Sequence, residues 1–143
     1  MNTVRPAAVA GLFYPGSAPA LSQEVSTLLS AASPHDLDRP PKALIVPHAG
    51  YVYSGPVAAS AYALLGSRAA QIRRVVLLGP THRVAVRGLA LPDAAAFATP
   101  LGSVAIDRDA AQRIAQLAQV SVSAEAHALE HSLEVQLPFL QSV

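Results

Sequence analysis

The stretch that decides the fold is Ala43-Leu44-Ile45-Val46-Pro47-His48-Ala49-Gly50-Tyr51-Val52-Tyr53-Ser54-Gly55. Its first four residues form an uninterrupted apolar run, which is typical of a buried parallel strand. The chain then turns at glycine, and Ser54 is placed to cap a helix that has Pro56 in its first turn. The sequence therefore predicts a strand, a turn that carries one histidine and two tyrosines, and a helix.

A second apolar run completes this unit. The helix is expected to continue through Leu65 and to stop at Gly66, and residues 75–78 then form a strand that runs into Gly79-Pro80-Thr81-His82. A strand–helix–strand crossover places its two strands parallel, so both following loops reach the same edge of the sheet. That edge is where open α/β folds bind their ligands.

Two histidines are therefore expected at one edge of the sheet. His48 lies just beyond the first predicted strand and His82 just beyond the second. Imidazole nitrogens are ligands for iron, copper and zinc, so the pair suggests a metal site with room for a third ligand and for substrate. The alternative is that each histidine only hydrogen-bonds its own loop.

The flanking sequence predicts a single α/β domain over residues 1–143, with a mostly parallel sheet and flanking helices. Residues 1–16 are expected to form an irregular arm with turns, and residues 33–41 a proline-rich loop in which His35 is solvated. Helices are predicted over 19–32, after Asp107, and from about Ser132, where Pro138 should end or kink the last one. Further strands are predicted over 88–92, 103–106 and 120–123, with a turn over 97–102.

Composition narrows the class of protein. Hydrophobic residues make up 52% of the chain and charged residues 13%, which is too apolar for disorder. No apolar run is long enough to span a membrane, and a net charge of +1 without a basic cluster gives no nucleic-acid footprint. Cysteine is absent and no signal-peptide pattern opens the chain, so a cytoplasmic location is expected.

Other side chains could carry chemistry. Tyr51 and Tyr53 could act as acids or hydrogen-bonding groups beside a metal, or could simply pack with a bonded hydroxyl. The pattern His127-Ala128-Leu129-Glu130-His131 matches the His-x-x-Glu-His signature of one class of zinc peptidase. On a helix the two histidines would share a face, which makes a zinc peptidase a remote alternative.

Five separated motifs in this order resemble one family, the Memo-like proteins, known in bacteria as AmmeMemoRadiSam system protein B. The motifs are Ala10-Gly11-Leu12-Phe13-Tyr14-Pro15, Pro47-His48-Ala49-Gly50-Tyr51-Val52-Tyr53-Ser54-Gly55, Gly79-Pro80-Thr81-His82, Thr99-Pro100-Leu101-Gly102 and Glu130-His131-Ser132-Leu133-Glu134-Val135-Gln136-Leu137-Pro138-Phe139.

The resemblance implies a fold like the catalytic subunit of class III extradiol ring-cleaving dioxygenases. It also implies a redox metal, iron or copper, with His48 and His82 as two of its ligands. Family members are longer, so the chain is expected to be a truncated N-terminal half, with a cysteine as third ligand beyond residue 143. Tyr51 and His131 complete the expected catalytic set, His131 in a supporting role at the rim of the pocket.

The resemblance leaves two functions open. One is a metal-dependent oxidoreductase with dioxygenase-like chemistry on a small molecule. The other is a non-catalytic module that binds a peptide or protein, with radical-SAM and AMMECR-type proteins as the implied partners. Exposed strand edges and apolar faces also predict self-association of this chain.

Overall fold

The computed structural model describes residues 3–33, 37, 39 and 41–143, so His35 and most of the predicted proline-rich loop lie outside the described residues. The predicted α/β class is confirmed. The helices are α1 (Ala18–Ala31), α2 (Tyr51–Tyr62), α3 (Arg108–Ile114), α4 (Ala124–Ala128) and α5 (Leu137–Leu140). The strands are β1 (Val4–Arg5), β2 (Leu89–Leu91), β3 (Ala96–Thr99), β4 (Gly102–Ala105) and β5 (Val120–Val122), and 3-10 turns cover Ala63–Gln71 and Glu134–Gln136.

The first helix agrees with its sequence pattern. Helix α1 spans nearly the predicted range, has a proline in its first turn, and buries Leu21 and Val25 completely. These residues recur one helical turn apart, so a single face of α1 packs against the rest of the core. Helix α1 contacts α2 and α5.

Helix α2 begins earlier than predicted. Gly50, in an extended conformation, is its N-cap, and Ser54 lies inside the helix with its hydroxyl donating to the Ala49 carbonyl. Pro56 therefore lies in the second turn, where it leaves one carbonyl of the first turn without its usual helical donor. The helix ends at Tyr62 and tightens into the 3-10 turn, which runs on through Gly66. His48 thus lies two residues before the helix cap.

The structure corrects the prediction that a strand lies on each side of this helix. Residues 43–46 and 73–80 have no regular secondary structure, and within the described chain neither segment is paired in a sheet. Ile45 is fully exposed, and Val76 and Leu78 are 68% and 75% exposed. A strand requires a hydrogen-bonded neighbour, and an apolar pattern does not by itself provide one. The segments still deliver their histidines to one place, as described below.

Two small sheets form elsewhere in the described chain. The arm contributes β1, which pairs in parallel with β3, and β3 forms an antiparallel hairpin with β4. Strands β2 and β5 pair in parallel with Leu89 opposite Val120. The arm is thus less irregular than predicted. The turn predicted over 97–102 consists of Pro100 and Leu101 only, because residues 96–99 form a strand. Two of the three pairings are parallel, in agreement with the predicted sheet type.

Gly88 shows why the β2–β5 pair forms where it does. Its φ of +82° is in the left-handed region, and an added Cβ would lie 2.2 Å from the Gln119 carbonyl oxygen. Only glycine can make that approach. The next residue then donates to the same carbonyl, which starts the pairing of β2 with β5.

The C-terminal segment holds the arm through a buried carboxylate. Glu134 is completely buried, pairs with Arg5, and accepts hydrogen bonds from the Ala8 and Val9 amides and the Tyr14 hydroxyl. Burial, and then the bond to Glu134, raise the pKa of Tyr14. The predicted helix from Ser132 is a 3-10 turn followed by α5, and Pro138 lies in the first turn of α5 instead of ending it. A proline there costs nothing, because that amide has no helical acceptor.

Candidate metal centre

Three histidines from distant parts of the chain meet at one point. His48, His82 and His131 each offer a ligand atom within 4.8 Å of the other two. The His48 ring centroid lies 5.3 Å from that of His82 and 5.8 Å from that of His131, and the His82 and His131 rings stack at 4.5 Å. The sequence paired His48 with His82, and the structure brings those two together and adds His131. We call these three residues the histidine triad.

His48 is held by contacts on both sides of its turn. The Pro47 carbonyl accepts a hydrogen bond from the Gln136 side chain, and the Tyr51 amide donates to the Phe13 carbonyl at 2.7 Å. The turn is therefore fixed between the N-terminal arm and the C-terminal segment. The Phe13 ring also lies 4.5 Å from the His131 ring and forms an apolar wall beside the triad.

His82 is positioned by close packing of its loop against Ser132. A Cβ added to Gly79 would lie 2.7 Å from the Ser132 hydroxyl oxygen, so the loop approaches as closely as glycine allows. The Ser132 hydroxyl donates to the Pro80 carbonyl at 2.8 Å. The His82 side chain remains 40% exposed, which leaves one side of the triad open to a ligand from solution.

Glu130 lies beneath the triad and accepts several hydrogen bonds. Its Oε2 accepts from the His82 amide at 2.6 Å, and its Oε1 lies 2.8 Å from His82 Nδ1. Oε1 also accepts from the amides of His131 and Ser132. Burial alone would raise the pKa of Glu130, but the hydrogen bonds from His82 and these amides outweigh it and lower the pKa to about 2. Glu130 is therefore a carboxylate at neutral pH.

His131 favours its neutral form. Burial lowers its pKa, the charges of His82, His48 and Arg83 lower it further, and Glu130 opposes them. Neutral imidazole is the form that binds metals, so this environment suits a ligand. Because His131 is remote in sequence from His48 and His82, no local pattern predicts its place in the triad.

Tyr51 lies in the hydrophobic core, where its ring contacts those of Tyr14 and Phe139. It is buried, its hydroxyl donates to the Val135 carbonyl at 2.8 Å, and burial raises its pKa. The hydroxyl thus has a structural partner, and the predicted acid–base role stays a prediction. Tyr53 is 81% exposed on the outer side of α2.

His127 does not join His131. It lies on α4, its Nε2 is 2.9 Å from the Ala90 carbonyl oxygen, and its ring meets Phe97 edge-on. Helix α4 ends at Ala128, so the His-x-x-Glu-His pattern is not on one helix and its two histidines do not share a face. This pair therefore does not have the geometry expected of a zinc peptidase. Glu134 is also unsuited to a ligand role, since its carboxylate binds the arm.

None of the helices in the described ranges has the length and apolar character needed to cross a bilayer.

Comparison with known proteins identifies the family. The family model for Memo-like proteins matches residues 5–143. A MEMO1 family protein of Aquifex aeolicus is 41% identical over 138 residues, which cover 96% of this chain and 49% of the relative. A MEMO1 family protein of Ignicoccus hospitalis is also 41% identical, and MEMO1 family protein MJ0403 of Methanocaldococcus jannaschii is 39% identical over 150 residues, covering 99% of this chain and 52% of the relative.

The chain therefore spans about half the length of these curated relatives. Its match to the family model runs over nearly all of its residues, including the five motifs and the three histidines. This chain belongs to the Memo-like family.

Proposed function

We propose that the histidine triad is a non-haem metal site, with iron or copper as its metal, and that the protein performs metal-dependent oxidoreductase chemistry of a dioxygenase-like kind. The observation that carries this proposal is the meeting of three ligand atoms within 4.8 Å from residues 48, 82 and 131. All three proposed ligands are histidines of this chain. We therefore propose His131 as the third ligand, for which the resemblance implied a cysteine.

The donor set fits such a metal. Imidazole nitrogens suit iron, copper and zinc, and three of them leave positions for substrate. The lowered pKa of His131 keeps that ring neutral, as a ligand must be. Glu130 supplies a carboxylate beside two of the rings, which is the usual surrounding of metal-bound histidines.

Each residue of the site would have a distinct role. The three histidines hold the metal, and Glu130 holds His82 and the main chain at His131 in place. Phe13 excludes water from the side beside His131, while the exposed side of His82 is the route for a small-molecule substrate. A bound iron or copper ion would supply electron transfer and open coordination positions for an oxygen ligand.

Metal content tests the proposal. The chain would be loaded separately with Fe²⁺, Cu²⁺ and Zn²⁺, and its metal measured by elemental analysis after desalting. We expect one ion per chain, and loss of that ion in His48→Ala, His82→Ala and His131→Ala. His127→Gln is the matched control, since its amide retains a hydrogen bond to the Ala90 carbonyl, and it should keep the metal.

Activity is a separate measurement. Oxygen uptake by the loaded protein with a catechol-like diol would support the dioxygenase-like function. An unchanged metal content in all three triad variants would overturn the ligand assignment, and loss of the metal in His127→Gln would contradict its restriction to the triad.

A second candidate is a binding module on the same fold. The outer side of α2 exposes Val52, Tyr53 and Val57, and exposed apolar side chains favour contact with another polypeptide. Retained metal without turnover of any diol, together with capture of a radical-SAM or AMMECR-type protein by the chain, would favour this function. Binding that is lost in Tyr53→Ser but kept in His48→Ala would separate that surface from the metal site.

A further inference from the structure

We propose that Glu130 is the positioning residue of the histidine triad: it holds His82 by both its main chain and its ring, and so presents Nε2 of His82 to the metal. The inference rests on the proposed metal site. It adds a residue that is not itself a ligand and defines which nitrogen of His82 binds.

The first step is the tautomer of His82. A carboxylate has no proton to donate, so the 2.8 Å contact between Glu130 Oε1 and His82 Nδ1 requires the proton to be on Nδ1. Nε2 is then unprotonated and carries the lone pair that a metal needs. The other carboxylate oxygen accepts from the His82 amide at 2.6 Å, which fixes the loop as well as the ring.

The second step is the connection to His131. The same Oε1 accepts from the amides of His131 and Ser132 at 2.8 and 2.9 Å, and lies 3.3 Å from His131 Nδ1. One side chain thus ties two segments that are 48 residues apart, and each segment carries a triad histidine. Both oxygens accept hydrogen bonds from these donors, and Glu130 is not among the residues whose ligand atoms converge.

The third step compares the three ligands. Within the described residues, His82 and His131 each have the Glu130 carboxylate beside Nδ1, while the hydrogen bonds of the His48 turn are made by its main-chain neighbours. Carboxylates that orient metal-bound histidines typically contribute about 10–100-fold to metal affinity. We expect an effect of that size from Glu130, exerted mainly through His82.

The test uses Glu130→Gln in this chain, with Glu125→Gln as the matched control. Glu125 is exposed on α4, so its substitution removes the same charge without touching the triad. Zn²⁺ affinity would be measured by competition with a chromophoric chelator. We expect about a 10–100-fold weaker affinity in Glu130→Gln and wild-type affinity in Glu125→Gln.

A second measurement needs neither metal nor activity. Two-bond nitrogen–proton correlation spectra of the metal-free chain report the tautomer of each histidine. We expect the proton of His82 on Nδ1 in the wild-type chain and a shift of population toward Nε2 in Glu130→Gln. A merely structural role for Glu130 would not set that tautomer.

The outcomes separate this inference from the proposed function. Wild-type Zn²⁺ affinity in Glu130→Gln, or a His82 proton on Nε2 in the wild-type chain, overturns the role of Glu130. Failure of the wild-type chain to bind any metal overturns the proposed function. In that case the tautomer measurement still decides whether Glu130 orients His82. If Glu130→Gln does not fold, the wild-type spectrum alone decides.

Discussion

Arg5 and Glu134 form a buried ion pair between residues 129 positions apart in the chain, with side-chain exposures of 5% and 0%. The guanidinium also donates to the carbonyls of His127 and Glu130, so Arg5 binds the segment that supports His131. The N-terminal arm is therefore part of the structure that positions the triad.

Removing the charge of Glu134 should destabilise the fold. In Glu134→Gln, Arg5 becomes a buried cation without its counter-ion, and two amides and a tyrosine hydroxyl lose their carboxylate acceptor. We expect the free energy of unfolding to fall by about 3–5 kcal/mol, as is usual when one partner of a buried pair is removed. Urea denaturation, monitored by circular dichroism, measures this free energy of unfolding. Glu125→Gln should change it little, and equal midpoints for the two variants would contradict the prediction.

Metal should stabilise the chain. An ion that binds the folded state and not the unfolded state raises the free energy of unfolding by about 2.7 kcal/mol at a hundredfold excess over its dissociation constant. We therefore expect the thermal midpoint to rise with added Zn²⁺ and to return on addition of a chelator. His131→Ala should lose the rise as fully as His48→Ala does. A full rise in His131→Ala would reduce His131 to the supporting role that the sequence suggested.

Gly79 should be intolerant of a side chain. In Gly79→Ala the new Cβ would lie 2.7 Å from the Ser132 hydroxyl oxygen and 3.0 Å from a methyl of Leu133, so the loop that carries His82 must move. We expect a loss of about 1–3 kcal/mol in stability, together with weaker metal binding. Gly66→Ala is the control, because nothing lies within 4 Å of its added Cβ. The prediction fails if both variants bind metal like the wild type.

Alkaline pH should unfold the chain through its buried tyrosines. Burial raises the pKa of Tyr62 from 10.0 to about 12, and its hydroxyl donates to Gln136. A raised pKa means that the folded state holds its proton longer than the unfolded state. The stabilisation is therefore complete below pH 10 and is lost as pH rises toward about 12.

The substitution Tyr62→Phe tests this pH dependence. The ring still stacks on Phe139, but the titrating group is gone, so stability should fall less steeply over this pH window. Urea midpoints measured at several alkaline pH values give the slope. Equal slopes for the variant and the wild type would show that Tyr62 does not contribute, leaving Tyr14 and Tyr51, whose pKa values burial also raises.

Self-association should follow from two exposed apolar segments that have no regular secondary structure. Ile45, Val76 and Leu78 are apolar and largely exposed, and their backbones are unpaired within the described chain. We expect the apparent mass in sedimentation velocity to rise with protein concentration. The double variant Ile45→Thr, Leu78→Gln should reduce that rise. A monomer at every concentration would contradict the prediction.

Local patterns predicted the elements that depend on local interactions. The apolar spacing of Leu21 and Val25 predicted α1, and Asp107 caps α3 by accepting from the Ala110 amide. Strands β2, β4 and β5 lie in or beside their predicted ranges. The α2 boundary was wrong because Gly50 takes the cap position, and a sequence offers several polar or small residues that could do so.

Long-range contacts were the part that local patterns missed. Residues 43–46 and 75–78 have strand composition, but the described chain provides them with no sheet neighbour. Other contacts likewise join residues far apart in sequence. Glu134 pairs with Arg5 and accepts a hydrogen bond from Tyr14, and the Tyr51 hydroxyl donates to the Val135 carbonyl. No spacing rule relates such positions, because they meet only when the whole chain has folded.

The sequence by itself determined the family, the α/β class and the expectation that His48 and His82 meet. The motifs carry the family and the class, and His48 and His82 each follow an apolar segment that leads to the same place although neither segment is paired in a sheet within the described chain. Only the tertiary structure brought His131 from the rim of the pocket into the triad, placed Glu130 beside it, and showed which carbonyls lie beside the Tyr51 hydroxyl and the His127 ring. The physical reason is that a metal site depends on where side chains of remote segments point, and packing among the arm, α2 and the C-terminal segment decides that direction.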